Sequence, residues 1–326
     1  MQRETANLSN EKRVLLANPR GFCAGVRRAI DAVEGALRTY GPPVYVRRAI
    51  VHNQEVVNEL QARGAVFVQE IRDIPPGSVA ILSAHGTARS VKLAGRQRDL
   101  AMIDAICPLV AKVHAEVEDW HRAGRHVLLI AHQGHPEVVG TLGQVPAGAI
   151  TVVSSPDDIA QANIAVDAPV AFAVQTTFSM RDADHLIHAI RARFGDVAGP
   201  KASDICYATT NRQLAIEAIA AHADVVLVVG DRMSSNAARL VEVARAAGCA
   251  HALLIAGNDE LPLKLIESTT TIGLTAAAST PEFLVQTVCE TLVKMGFVTE
   301  EIEGIRETAR FRPVCLSSTP GNRSRS

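Results

Sequence analysis

Apolar residues along this chain follow two periods. Short unbroken runs, VLLA at 14–17, VLLIA at 127–131, VAFAV at 170–174 and VVLVV at 225–229, read as strands buried on both faces. Longer stretches place apolar residues three and four apart and read as amphipathic helices: AGVRRAIDAVEGALRTYG, PLVAKVHAEVEDWHRAG and YATTNRQLAIEAIAAHA. Each helix leads to a strand, PPVYVRRAIV, RHVLLIA or DVVLVVG, and each strand ends in a polar loop. The loops carry His52-Asn53, His132 to Glu137, and Ser234-Ser235-Asn236. A second helix, strand and polar loop follow each time, the last holding His85 and Thr87, Thr176 and Thr177, or Thr275 and Ser279. One supersecondary unit therefore occurs three times.

Strands alternating with helices over short loops predict parallel α/β sheets, with functional groups gathered beyond the carboxyl ends of the strands. The units are expected at residues 24–106, 107–205 and 206–300. The third has no strand downstream to match LAMIDAIC and VAGPKASDIC, and the N-terminal run 13–23, VLLANPRGFC in part, has the character to supply it. Residues 301–326, ending RFRPVCLSSTPGNRSRS, read as a flexible tail.

Cysteine placement sharpens the repeat. Cys23, Cys107 and Cys206 each open the first helix of a unit, and the distances from Cys23 to His52, Cys107 to His135 and Cys206 to Ser235 are 29, 28 and 29 residues. A metal centre fed by one thiolate from each unit explains that phase, and a helix start favours the thiolate form that binds metal. Three buried structural cysteines are the plainer alternative. Cys249, Cys289 and Cys315 lack this context. No CxxC pair suggests a zinc ribbon. An iron–sulfur cluster with one iron free of protein ligands suits three thiolates, although spacing does not exclude zinc with three thiolates and a water.

Composition changes the picture little but excludes several classes. The 326 residues are 48% apolar, with Lys+Arg 33 against Asp+Glu 34 and a net charge of -1. That balance gives no basic face for nucleic acid. No apolar run approaches a spanning helix, and MQRETANLSNEKR lacks the apolar core of a secretory signal, so a cytoplasmic protein with reduced thiols is expected. No GxxxxGK[ST] supports a nucleotide P-loop.

The polar loops supply the other candidates. His52, His85 and His135 stand at equivalent or neighbouring repeat positions and suit ligand contact. Ser234, Ser235 and Asn236 precede a helix, where backbone N–H groups point outward; they can host an anion or simply cap the helix, and Ser279 allows the same two readings. Glu137 could hold a proton near a dry metal site, or serve as a first-turn helix acid. Thr176 could relay protons through its hydroxyl, or satisfy a strand end.

The segments NPRGFCAGVRRAI, IVHN, SAHG, CPLVAKVH, GHPEVVGTLGQ, QTT, DICYATTNRQ, SSN and AAST together resemble the LytB family of 4-hydroxy-3-methylbut-2-enyl diphosphate reductases, over about residues 13 to 300. The resemblance implies three similar α/β domains in a trefoil-like, pseudo-three-fold arrangement around a central metal cluster. It implies a [4Fe–4S] cluster on Cys23, Cys107 and Cys206, and a substrate diphosphate among His52, His85, His135, Ser234, Ser235, Asn236 and Ser279. Proton delivery falls to Glu137 and Thr176. The implied reaction is reductive dehydroxylation to isopentenyl and dimethylallyl diphosphate, ending the methylerythritol phosphate route, with a ferredoxin or flavodoxin as electron donor. A cluster-bearing sensor that binds a diphosphate without turnover is the alternative. The chain departs from the family pattern at Asp231-Arg232-Met233, where a Lys-Asn pair is common, at Ala277 in place of glycine, and at Ile106 and Ala111, where hydroxyl residues are frequent.

Overall fold

The unbroken apolar runs become inner strands of parallel sheets, because only a strand covered by helices on both faces can bury every side chain. The computed structural model of the protein describes residues 11–316. Its strands are β1 (Arg13–Leu16), β2 (Val44–Arg47), β3 (Ala65–Val68), β4 (Val79–Leu82), β5 (Ala101–Asp104), β6 (His126–Ile130) and β7 (Ile150–Val153). They continue with β8 (Val170–Val174), β9 (Val197–Ala198), β10 (Val225–Val229), β11 (His251–Ile255), β12 (Thr271–Ala276) and β13 (Val298–Glu301). The helices are α1 (Ala24–Tyr40), α2 (Gln54–Ala62), α3 (Arg89–Gln97), α4 (Pro108–Arg122), α5 (Pro136–Leu142) and α6 (Pro156–Gln161). After them come α7 (Met180–Arg193), α8 (Tyr207–Ala220), α9 (Ser235–Ala246), α10 (Leu263–Glu267) and α11 (Glu282–Lys294).

Among the described residues the sheets run β3-β2-β4-β5, β7-β6-β8-β9 and β11-β10-β12-β1-β13. Their pairings are parallel. One strand order is used three times. The strand before a cysteine lies beside the strand that carries the second polar loop: β5 beside β4 before Cys107, β9 beside β8 before Cys206, and β1 beside β12 before Cys23. β1 therefore fills in the third sheet the place that β5 and β9 fill in the others, with Val14 opposite Ile272 and Leu16 opposite Leu274.

Two compact units contain these sheets. Residues up to Phe22 with Tyr207–Thr308 form one, and Cys23–Cys206 with the residues from Ala309 form the other. The sheets of 24–106 and 107–205 thus share a unit. Within it, strand alternation divides the core: Leu128 and Ile130 face Phe172, Phe178 and Leu186, while Val127 and Leu129 face Val113, Val117 and Val138. The other unit repeats this around β10, where Val226 and Val228 pack with Leu240 and Val241, and Val225, Leu227 and Val229 with Val285 and Leu292.

β13 closes an edge with the exposed sequence VTEE, whose glutamates discourage a further strand. Residues 302–316 carry no regular element, yet they are tied down: Ile302 N–H donates to Leu16 O, Glu307 pairs with Arg212, and Arg312 O accepts from Arg28. The rest of the expected tail, 317–326, lies outside the described residues. Among the described residues no helix is long and apolar enough to cross a membrane.

Candidate active site

The three repeat cysteines are held by backbone geometry and by long side chains. Cys23 caps α1, its Sγ accepting from Val26 N–H at 3.4 Å, and Cys107 caps α4 with Pro108 at the first helical position. Cys107 N–H donates to Ala84 O, and Cys206 N–H to Thr176 O, both at 3.0 Å. Arg28 of α1 donates to Ile106 O at 2.8 Å, next to Cys107. Lys112 of α4 reaches the buried Asp204 at 2.6 Å, two residues before Cys206, and Asp204 in turn accepts from Val174 N–H. Each cysteine segment is thereby fastened to a neighbour.

The surroundings of the sulfurs leave room for a metal group. A Cβ on Gly25 would lie 2.8 Å from Cys107 Sγ and 3.8 Å from Cys23 Sγ, so only glycine leaves room between these two sulfurs. Burial pushes the Cys107 thiol up to about 11, against backbone donors at Leu109 and Val110 that lower it. The helix start alone therefore does not make a thiolate here. A cationic metal group held there would supply the missing stabilisation, since a coordinated thiol loses its proton outright. Among the described residues no three His, Cys, Asp or Glu side chains gather closely enough to hold a single ion.

Glu137 and Thr176 form a closed pair. The carboxyl is 3% exposed. Its Oε1 accepts from Thr176 N–H and its Oε2 from Thr176 Oγ1, each at 2.7 Å. Burial raises the carboxyl to about 7, the two Thr176 bonds pull it back, and the charge of Asp204 adds to the rise. A carboxyl poised there can give up or take a proton near neutrality, with the Thr176 hydroxyl as its contact.

The three histidines meet in the same unit. The rings of His52 and His85 lie 4.1 Å apart, those of His52 and His135 5.7 Å, and those of His85 and His135 6.2 Å. Burial lowers His135 to about 4, with the neighbouring His52 and His132 adding to it. His85 falls well below the usual value, from burial first and then from His52, His135 and Arg48. Both rings are neutral at neutral pH. His135 Nδ1 accepts from Glu137 N–H at 3.2 Å, so its proton sits on Nε2. That buried Nε2 has no protein partner among the described residues and is a donor held for a ligand.

In the other unit, Ser234 caps α9 by accepting from Ala237 N–H at 3.3 Å, and Ser279 Oγ donates to Ser234 Oγ at 3.4 Å. Asn236 Oδ1 accepts from Ala278 N–H at 3.0 Å, joining the loops after β10 and β12. Its buried Nδ2 has no partner among the described residues. Ser235 opens α9, where backbone donors and dipole favour an anion.

Known proteins are similar to this chain in sequence and fold. The family model described as LytB protein matches residues 14–293. The chain belongs to the LytB family. A 4-hydroxy-3-methylbut-2-enyl diphosphate reductase from Acidothermus cellulolyticus is 47% identical over 328 residues, covering 96% of each chain. One from Phenylobacterium zucineum is 50% identical over 300 residues, covering 92% of this chain and 95% of its own. The solved E-1-hydroxy-2-methyl-but-2-enyl-4-diphosphate reductase of Plasmodium falciparum superposes with a TM-score of 0.90 at 34% identity, covering 93% of this chain and 96% of that one.

This LytB chain absorbs its departures locally. Asp231 Oδ1 accepts from Met233 N–H, a turn that leaves Met233 exposed, and Arg232 pairs with Glu260 at 3.0 Å. The methyl of Ala277 is buried beside Gly230, where a Cβ would come within 3.2 Å of it. Ile106 contributes its carbonyl to Arg28. Nothing in the structure explains Ala111.

Sequence reasoning missed the residues that hold the candidates in place. Gly86, at φ +85°, lets the His85 loop pass over His114. A Cβ on Gly140 of α5 would meet Gly86 C at 3.0 Å, so α5 and that loop touch backbone to backbone. Gln144 Nε2 bridges Thr87 O at 3.0 Å and Gly140 O at 2.6 Å. Arg212, fully buried, donates to Gly21 O at 2.7 Å and pairs with Glu307. The signal was the presence of these residues inside SAHG, GHPEVVGTLGQ and NRQ, but which backbone each approaches is not written in a spacing.

Proposed function

We propose that the chain reductively dehydroxylates (E)-4-hydroxy-3-methylbut-2-enyl diphosphate, giving isopentenyl and dimethylallyl diphosphate. The reaction takes two electrons and two protons, breaks the allylic C–O bond and releases water. Family membership with curated relatives of that name supports the substrate, and the buried Glu137–Thr176 pair carries the reading as an enzyme. Cys23, Cys107 and Cys206 would hold a [4Fe–4S] cluster. When bound, that cluster supplies single electrons and, at an iron without a protein ligand, Lewis acidity toward the substrate oxygen.

The chain's own groups then divide the work. Neutral His135 donates from Nε2 to the substrate diphosphate, and His52 and His85 line the same place. Ser234, Ser235, Asn236 and Ser279 offer hydroxyl and amide donors to the diphosphate from the start of α9 and the loop after β12. Fixing the diphosphate orients the allylic end and removes motional freedom before the bond breaks. Glu137 holds the proton that leaves with the hydroxyl oxygen, and Thr176 Oγ1 passes it on. Such a transfer suits a carboxyl near 7, half of which is protonated at working pH.

The test is anaerobic turnover of the allylic diphosphate with reduced methyl viologen, following both products. Turnover by the full protein and its loss in Cys107→Ser together support the reading. A protein that binds iron and the diphosphate but never reoxidises the viologen is a sensor instead.

A further inference from the structure

A groove of about 670 Å³ runs between α1 and residues 309–316, entirely within one unit. Arg27, Arg28, Arg38 and Arg310 line it with one aspartate, Asp31, and Arg38 is also paired with Glu34 of the same helix at 3.7 Å, which leaves an excess of positive charge. This concentration of positive charge stands out in a chain whose net charge is -1. Phe311, Pro313 and Val314 add apolar surface to the lining. Apolar surface among arginines is the usual composition of a protein-binding face.

The groove is fastened to the cysteine segments. It begins at Ala24, adjacent to Cys23. Arg28 donates from Nε to Arg312 O at 2.8 Å and from Nη1 to Ile106 O at 2.8 Å, joining the 309–316 segment to the residue before Cys107. Gly35 leaves space for Leu316, whose Cδ1 would lie 3.0 Å from a Cβ there. The floor of a basic face thus abuts two of the three thiol-bearing segments.

Resting on the reductase reading, the geometry points to this groove as the docking face for a small acidic protein that carries single electrons. A dehydroxylation consumes two electrons that must enter near the thiolates, and this face offers a short path along Ala24–Cys23 and Ile106–Cys107. Complementary charge steers such a carrier and sets its orientation, while a small interface lets it leave after each electron. Salt weakens the encounter by screening it.

The experiment uses the cluster-loaded full chain and the triple variant Arg27→Glu, Arg38→Glu, Arg310→Glu, with Arg310→Glu alone as a milder change. Turnover is measured with reduced methyl viologen, which gains nothing from a basic face, and with a reduced acidic [2Fe–2S] ferredoxin. Binding of that ferredoxin is measured directly by calorimetry at low and high salt. The expected result is unchanged viologen turnover, ferredoxin KM raised about tenfold or more, and binding lost in the triple variant. Wild-type binding should weaken with salt. Equal loss with both donors, or ferredoxin binding unaltered by charge reversal, overturns the proposal. So does a charge reversal whose sole effect is on self-association or on small-anion binding. Wild-type protein inert toward viologen would remove the reductase reading, while the calorimetry would still decide the groove.

Discussion

At the scale of single residues, burial decides protonation, and the charged form loses wherever no partner compensates. Glu137→Gln keeps the acceptor for Thr176 N–H but removes the titrating proton; turnover should fall about 10²–10⁴-fold while iron content and substrate affinity hold. The sign of its stability effect is the reverse of a salt-bridged acid. A carboxyl raised to about 7 stabilises the fold below its unfolded value, and that contribution is lost as pH rises through 7. In cluster-free protein, wild type should therefore lose roughly 3 kcal/mol relative to Glu137→Gln between pH 5 and 8, read by urea denaturation. The histidines act oppositely. His135 and His114, both lowered to about 4, and His85 with them, bind protons more readily unfolded, so stability falls as pH drops from 6.5 toward 4. Three such groups outweigh one carboxyl, and denaturation midpoints should decline over that range.

At the scale of elements, the candidate groups are aligned by close backbone approach and by a few long cationic side chains, of which Arg212 is fully buried. Gly25→Ala places a methyl against Cys107 Sγ. It should leave helix content unchanged in circular dichroism but lower iron per chain as severely as Cys107→Ser. Arg212→Met removes a fully buried guanidinium and strands both Gly21 O and Glu307. Glu307 keeps some solvent at 17% exposure, so the loss is that of buried hydrogen bonds left unmade, about 1–3 kcal/mol, and thermal melting should show it. The elements themselves were legible because their periods are local: α1, α4 and α8 start directly after the cysteines that announce them, and β6, β8 and β10 coincide with unbroken apolar runs. What opposes what was not legible. The approach of Gly140 to Gly86 joins residues that no local pattern relates, and at Cys107 burial opposes the thiolate that the helix start favours.

At the scale of the molecule, a repeat of one strand order determines where the chain must return. β1 lies between β12 and β13 inside its sheet, so removing residues 1–20 should unfold the unit built on Tyr207–Thr308; loss of its cooperative transition in calorimetry would show this, and an unchanged transition would contradict it. The sequence by itself determined the three-fold repeat, the parallel α/β class, the phase of the three cysteines and the list of polar loops, because each depends on neighbours a few residues apart or on a recurring interval. Only the tertiary structure decided that His52, His85 and His135 stand ring to ring, that Glu137 is sealed against Thr176, and that residues 309–316 lie along α1 to form a basic groove. Those facts depend on desolvation and packing between segments distant in the chain, and neither is carried by the order of residues until the chain has closed around them.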